Sequence, residues 1–138
     1  MNFLRCMASF RITAEELDPF EISEILGIEP STSYKKGEQI TSTTKKGKLL
    51  MMGFRRFGFW SINSEEKENK SLEQHIKNLL ILLEPLKDEL TELLNKGYEM
   101  DFFCGIFSDG CPQSGFDIEP DVLLKLGQLN IKLDVCLY

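Results

Sequence analysis

The sequence has few cysteine, histidine and proline residues, and this excludes several classes of small protein. Its 138 residues include four cysteines, one histidine and five prolines. No C-x-x-C pair occurs among Cys6, Cys104, Cys111 and Cys136, and His75 supplies too few further ligands nearby for a zinc knuckle. A core of this size needs no disulfide staples. We therefore expect free thiols, no metal and no cofactor.

Long apolar runs are missing as well. Although 42% of the residues are hydrophobic, no stretch approaches the roughly 18 to 20 uncharged apolar residues of a membrane-spanning helix. Arginines interrupt the first 18 residues, where a secretory signal would carry an unbroken apolar stretch. The length fits one domain with one core. We expect a single cytoplasmic domain over residues 1–138 that does not engage a membrane.

Positive charge is scarce overall but concentrated in one segment. The chain has 16 basic and 22 acidic residues, a formal net charge of −6. Residues 35–56 carry +6 and the rest of the chain −12. An acidic protein is unsuited to nonspecific nucleic-acid binding as a whole, but the asymmetry indicates an interaction surface. The basic residues are Lys35, Lys36, Lys45, Lys46, Lys48, Arg55 and Arg56.

Alternation and capping signals predict the first elements. Apolar and polar residues alternate from Leu4 to Thr13, as in a half-buried strand, and this places Cys6 in the core. Asp18-Pro19 then supplies an N-cap and a first-turn proline, and Gly27 ends the helix that they begin. Residues 31–53 are rich in Ser, Thr, Lys and Gly. They predict a long, mobile basic loop with at most a short strand near 38–41.

An aromatic segment follows that loop. Phe54 to Asn63 is β-prone, with apolar residues at both parities at its centre, which predicts a strand covered on both faces. Its first half interleaves Arg55 and Arg56 with aromatic residues, as a platform for single-stranded nucleic acid would. The alternative, which we favour, is a core strand with two arginines at its solvent end. Trp60 then lies in the core or lines a pocket.

A capping box and a proline define the main helix. Ser71 to Gln74 opens a leucine-rich helical pattern, and Pro85 predicts a kink or a break after Glu84. The later elements predicted in the same way are a strand over 98–107 that buries Cys104, a helix over 119–126 closed by Gly127, and a strand over 131–137.

The two ends of the chain carry similar patterns. Asp18-Pro19 leads to Leu26-Gly27, and Glu119-Pro120 leads to Leu126-Gly127. Two strand–helix–strand units joined by the long helix would form one sheet packed by helices. The sequence therefore predicts an α+β two-layer sandwich with a mainly antiparallel sheet and a ferredoxin-like character.

Several motifs together resemble one family. They are Asp18-Pro19, Gly37-Glu38, Trp60-Ser61-Ile62-Asn63-Ser64, the leucine-rich helix with its internal proline, and Leu133-Asp134-Val135 shortly before Tyr138. In this order, and over nearly the whole chain, the sequence resembles the bacterial domain-of-unknown-function family numbered 4279. The resemblance implies a small cytoplasmic bacterial protein with no established reaction, cofactor or catalytic residue.

Two isolated side chains have reactive chemistry. His75, in the first turns of the long helix, could act as a lone acid–base group, but no cysteine, serine or acid lies at a recognisable spacing, so a surface or boundary position is favoured. Cys111 is the one thiol in a polar loop, and no basic neighbour in sequence lowers its pKa. We predict no catalytic residue.

Three functions remain open. We favour a non-catalytic module that binds an unknown protein partner, with an immunity-type inhibitor of a basic toxin or nuclease as one version. The alternatives are a nucleic-acid or polyanion binder acting through residues 35–56 and an enzyme whose pocket the sequence does not reveal. The protein is expected to be a monomer or a homodimer. The candidate binding residues are Lys45, Lys46, Lys48, Arg55, Arg56 and Trp60.

Overall fold

Strands and helices account for most of residues 4–110 and 115–138, which the computed structural model describes. The strands are β1 (Arg5–Ala14), β2 (Thr32–Tyr34), β3 (Gln39–Thr43), β4 (Leu49–Phe54), β5 (Gly58–Asn63), β6 (Glu99–Phe107) and β7 (Lys132–Leu137). The helices are α1 (Pro19–Leu26), α2 (Leu72–Leu83), α3 (Lys87–Asn95) and α4 (Pro120–Gln128), with a 3-10 turn at Glu84–Leu86 between α2 and α3.

Five of the strands form the main sheet, in the order β2-β5-β1-β6-β7. All neighbours are antiparallel except β6 and β7. That parallel pair needs a crossover, which α4 provides. The predicted two-layer α+β fold with a mainly antiparallel sheet is confirmed. The two predicted strand–helix–strand units differ in how their strands pair. The strands of the first unit, β1 and β5, pair antiparallel, whereas the strands of the second unit, β6 and β7, pair in parallel.

The core lies between the main sheet and the helices. The ring of Phe10 makes edge-to-face contacts with Trp60 and Phe102, at centroid distances of 6.4 Å and 5.8 Å. Cys6 and Cys104 are buried, as predicted. Full burial of one large aliphatic or aromatic side chain contributes about 1.5–3 kcal/mol. Apolar burial on this one side of the sheet therefore holds the helices against it.

The predicted caps of α1 and α2 are confirmed by hydrogen bonds and backbone geometry at the helix ends. The carboxylate of Asp18 accepts a hydrogen bond from the Phe20 N–H at 3.1 Å, and Gly27 ends α1 with a φ of 69°. The Ser71 hydroxyl accepts from the Gln74 N–H at 3.2 Å at the start of α2. The helix breaks as predicted around Pro85, which cannot donate a backbone hydrogen bond.

The predicted end of α4 is wrong by two residues. Gly127 lies inside the helix, which continues to Gln128. The left-handed residue that follows is Asn130, with a φ of 56°, because asparagine tolerates this conformation better than most residues with a side chain.

Residues 31–53 contain more regular structure than predicted. Instead of a loop with a short strand near 38–41, they form β2, β3 and most of β4. Strands β3 and β4 pair as a separate two-stranded hairpin. Leu49 and Met51 of β4 pair with the β-branched Thr43 and Thr41 of β3, and Gly47 supplies a φ of 81° in the turn. The polar composition around the turn concealed this pattern.

The aromatic strand is also shorter than predicted. β4 ends at Phe54 and β5 begins at Gly58, so Arg55 and Arg56 lie in the connection between them. The expectation that this strand is covered on both faces holds only in part, although Ser61, on the same face as Phe59, is buried. The helices cover one face, and Phe59 on the other face is half-buried.

None of the helices in the described part of the chain combines the length and hydropathy that a membrane crossing requires.

Candidate functional site

The face of the main sheet opposite the helices, named here the open face, carries polar and aromatic side chains. In β1 the residues that face the helices, such as Phe10 and Ile12, are buried, whereas Arg11 and Thr13 on the other side are partly exposed. Arg11 lies opposite Ser61 of β5 and Asp101 of β6. The register therefore brings residues that are far apart in sequence into one row.

A bidentate ion pair lies at the centre of the open face. Arg11 donates from Nε to Asp101 Oδ1 at 2.8 Å and from Nη2 to Asp101 Oδ2 at 2.6 Å. Its guanidinium lies 4.4 Å from the centroid of the Phe103 ring, and Asp134 Oδ2 lies 3.8 Å from Nη2. The hydrogen bonds to Asp101 raise the pKa of Arg11. This geometry fixes a permanent cation and its partner in place.

An aromatic cluster lies beside that ion pair. The rings of Tyr34 and Phe59 stack at 5.0 Å, and Phe57 lies 6.4 Å from Tyr34. The guanidinium of Arg55 lies 4.0 Å from the Tyr34 ring centroid, a cation–π contact. Arg55, a predicted binding residue, therefore attaches the base of the β3–β4 hairpin to the edge of the main sheet.

A shallow cavity of about 620 Å³ lies between the aromatic cluster and the charged residues of the open face. Its volume falls in the range of pockets that hold small molecules or partner side chains. The aromatic wall is formed by Tyr34, Phe57 and Phe59. Among the lining residues the carboxylates outnumber the cations by two, so the cavity has negative charge in excess. The charged residues are Glu15, Glu99, Asp101, Asp134, Arg11 and Lys132.

The hairpin of residues 39–54, named here the arm, is the second feature. At its base the backbone ladder continues, because Arg55 N–H donates to Glu38 O at 2.8 Å and Gly37 N–H donates to Arg55 O at 2.8 Å. At its tip the Thr44 hydroxyl accepts from the Lys48 N–H at 3.0 Å. The arm is thus a defined hairpin with an anchored base and a closed turn.

Apolar side chains of β4 are exposed on both faces of the arm. Consecutive strand residues point to opposite faces, and Leu49, Leu50, Met51, Met52 and Phe54 each expose between 41% and 68% of their surface. A two-stranded hairpin is at best marginally stable in water by itself. A contiguous group of exposed apolar residues of this kind is typical of an interaction surface.

The structure divides the predicted basic segment into two parts. Lys36 binds Glu15 at 2.6 Å and Glu16 at 3.2 Å, and Lys35 lies 3.6 Å from Asp18, so these lysines contact the body of the protein. The candidate lysines of the tip are exposed and form no ion pair with any described residue. They are Lys45, Lys46 and Lys48.

Of the remaining candidate residues, Arg56 is exposed in the connection after the arm. Trp60 has 0% exposure, and its indole N–H donates to Ser23 Oγ at 3.0 Å. It lies in the core, one of the two positions predicted for it, and has no surface to offer a ligand.

Sequence reasoning missed the exposed residues of β4 and the central ion pair. The apolar run from Leu49 to Met52, directly after the lysines, was the available signal for the arm. For the ion pair, the signal was weaker. Arg11 and Asp101 both occupy outward positions of alternating strands, but only the sheet register places them side by side.

The predicted surface or boundary position of His75 is wrong. Its exposure is 2%, and its Nδ1 lies 2.9 Å from Ser64 Oγ. The loop before α2 covers the ring, and Nε2 has no hydrogen-bond partner among the described residues. A catalytic histidine would need access to substrate and a group that orients it. The pair of Ser64 and His75 therefore fits a packing role.

Burial of His75 predicts a pH dependence of stability. Burial lowers the pKa of His75 below its ordinary value of 6.5, against smaller opposing effects from the Lys67 backbone, Glu66 and Glu68. The unfolded chain then takes up a proton before the folded one, so the free energy of unfolding falls as the pH is lowered through 6.5. Urea denaturation at pH 7 and about pH 5 measures this slope.

His75→Asn is the control, because it keeps a polar group near Ser64 without a titrating ring. Since His75 is the sole histidine, the variant should lose the slope in this interval. An equal slope in both proteins would assign it to other groups. The hydrogen-bonded carboxylates Glu15, Glu73 and Asp109 have lowered pKa values and titrate further towards acid.

The cysteines do not form a reactive centre in the described part of the chain. Burial raises the pKa of Cys104 to about 12, which keeps it a neutral thiol at ordinary pH. Cys111, the thiol singled out from the sequence, lies outside the described residues. Over residues 4–110 and 115–138, no group of three or more His, Cys, Asp or Glu side chains is arranged to hold a metal ion.

These features define a two-layer α+β protein with one helix-covered face, one open face and a projecting hairpin arm. The family model described as domain of unknown function (DUF4279) matches residues 4–138, and the chain therefore belongs to that family. The resemblance seen in the sequence motifs is confirmed. No curated protein and no solved structure gives a significant match.

Proposed function

We propose that this protein is a non-catalytic protein-binding module whose arm makes the main contacts. The observation that supports this most is the apolar strand β4, whose large side chains are exposed on both faces of a hairpin that pairs only with itself among the described strands. Burial of apolar surface contributes about 25 cal/mol per Å². A partner that covers these side chains would therefore stabilise both the arm and the complex.

The backbone of the arm offers a second means of contact. In a two-stranded sheet each strand has one edge with unpaired N–H and C=O groups. A partner strand can add to such an edge, with the backbone giving affinity and the side chains giving specificity. Charged residues lie beside the apolar strand, since Lys45, Lys46 and Lys48 surround the turn before it. Charges in this position oppose aggregation of an exposed apolar strand. These lysines favour a partner with an acidic surface and speed its association.

An immunity-type inhibitor is one version of this function. In that case the acidic body, which carries the chain's excess negative charge, would face a basic toxin or nuclease while the arm supplies the apolar contact. The polyanion alternative has less support, because Lys35 and Lys36 are held by body carboxylates. It now depends on the three tip lysines and Arg56.

Loss of the exposed apolar residues is expected to abolish partner binding. In the double variant Met51→Ser with Met52→Ser, the two apolar side chains become small and polar, but neither is buried in the free protein, so the fold should persist. Tagged wild-type and variant protein are compared as baits in cell lysate by quantitative mass spectrometry. A specific partner should be depleted at least about tenfold with the variant, equivalent to roughly 1.4 kcal/mol.

The matched control is Leu123→Ser with Leu124→Ser on α4. These side chains are similarly exposed, at 50% and 61%, but lie on the helical layer. The control should capture the same partner as the wild type. Equal capture by all three baits would contradict the proposal. Capture of nucleic acid that depends on the tip lysines and is insensitive to the methionines would favour the polyanion alternative.

A further inference from the structure

We infer that the partner of the arm is a second copy of this chain, and that the tip lysines of each arm enter the acidic, aromatic cavity on the open face of the other copy. This inference rests on the proposed function of the arm and names its partner. It joins the two features of the surface that the fold itself leaves unused: an exposed apolar hairpin with a basic tip, and a cavity with excess negative charge.

Charge complementarity is the first argument. Lys45, Lys46 and Lys48 bring three positive charges that no described carboxylate neutralises. The cavity lining has two more carboxylates than cations, and Glu99 of β6 and Asp134 of β7 are among these carboxylates. An ammonium group over an aromatic face gains a further cation–π attraction, and Phe57 and Phe59 provide such faces.

The exposed apolar surface of the open face is the second argument. Met7, which is 48% exposed, and the stacked rings of Phe107 and Tyr138, 4.6 Å apart, lie together around Gly105 at the end of this face away from the cavity. The apolar residues of β4 could cover this surface as the tip reaches the cavity. Both surfaces would then be buried in one contact, which neither achieves within a single chain.

The dimensions of the arm agree with this contact. Strand β3 has five residues, and a strand of that length spans about 17 Å at 3.4 Å per residue. Neighbouring strands of a sheet lie about 4.8 Å apart. An arm of this size can therefore cross three or four strands of the partner's open face. A two-fold axis makes both exchanges equivalent and closes the assembly as a dimer.

Charge reversal provides the test. The tip variant is Lys45→Glu with Lys46→Glu and Lys48→Glu, and the cavity variant is Glu99→Lys with Asp134→Asn. Asp134 is neutralised and not reversed because its carboxylate lies 3.8 Å from Arg11 Nη2, where a lysine would disturb the bidentate pair of Arg11 and Asp101. Sedimentation velocity should find a dimer for the wild type. Each variant alone should dissociate at least about tenfold more readily, since like charges then meet in both contacts.

An equimolar mixture of the two variants should restore a dimer. The glutamates of one tip then meet the lysine that replaces Glu99 in the other cavity, and the second contact keeps its native charges. Circular dichroism and thermal unfolding of each variant confirm that it is folded before mixing. Higher salt should weaken both the native and the restored dimer, because exposed charge pairs are screened.

Three outcomes would overturn the inference: a wild-type monomer at all concentrations, a dimer that survives in both single variants, or folded variants that do not reassemble when mixed. A surviving dimer would indicate another contact, such as pairing along the β7 edge. If the wild type is monomeric but the methionine variant still loses a captured protein, the second-copy inference fails while the proposed function stands.

Discussion

Replacing Trp60 with alanine is expected to lower the free energy of unfolding by about 3–5 kcal/mol. The side chain is fully buried, its ring meets Phe10 edge to face at 6.4 Å, and its N–H donates to Ser23 Oγ. Truncation would remove the largest side chain of the core and leave a cavity between β5 and α1. Urea denaturation of wild type and variant measures the difference.

Trp60→Phe separates packing from hydrogen bonding at this position. The smaller ring keeps much of the buried apolar surface but gives up the bond to Ser23, which contributes about 0.5–1.5 kcal/mol. Trp60→Phe should therefore lower the free energy of unfolding much less than Trp60→Ala does. A Trp60→Ala protein of wild-type stability that failed to bind its partner would contradict the core assignment and return Trp60 to the candidate binding surface.

The elements best predicted from the sequence are those whose signals are local. The caps at Asp18 and Ser71 and the break at Pro85 each depend on hydrogen bonds within one turn of a helix. Strand alternation placed Cys6 and Cys104 in the core for the same reason, because the side-chain period of a strand is set by its own backbone. Tertiary contacts did not alter these outcomes.

The features predicted less well are those that depend on contacts between distant segments. His75 lies on a helix that is polar on one side, and only the loop that begins at Ser64 makes its position a buried one. Phe59 appeared to belong to a strand covered on both faces, but its ring stacks on Tyr34 at the surface. A neighbouring aromatic ring can thus bury part of an aromatic side chain on a face that no helix covers.

The candidate site likewise combines features with a local sequence signal and features that depend on contacts between distant segments. Composition predicted a basic segment, but charge pairing with Glu15, Glu16 and Asp18 removes two of its lysines from the interaction surface. Such pairing joins residues some 20 positions apart and follows no sequence period. The structure also adds the apolar strand beside the remaining lysines, and this strand gives the protein partner that the sequence already favoured a defined surface to contact.

Gly58→Ala is expected to destabilise the protein by about 1–3 kcal/mol or more. A Cβ atom at this position would lie 2.5 Å from the backbone oxygen of Leu17 and 2.8 Å from its Cβ. Leu17 is itself buried at 2% exposure. Neither atom belongs to the flexible end of a side chain, so relief requires a shift of the turn between β1 and α1. The midpoint of urea denaturation should fall accordingly.

Gly127→Ala is the matched control, since it adds the same methyl group in the opposite setting. Gly127 lies within α4 on an exposed surface, and an added Cβ would meet no atom within 4 Å. Alanine in a helix interior is favoured over glycine by about 0.5–1 kcal/mol, so this variant should be more stable than the wild type. If Gly58→Ala lowers the free energy of unfolding and Gly127→Ala raises it, the cost at Gly58 comes from the close approach of the turn to β5. It does not come from a general need for glycine. A destabilising Gly127→Ala would contradict the position of that glycine inside α4 and return it to the helix end that the sequence predicted.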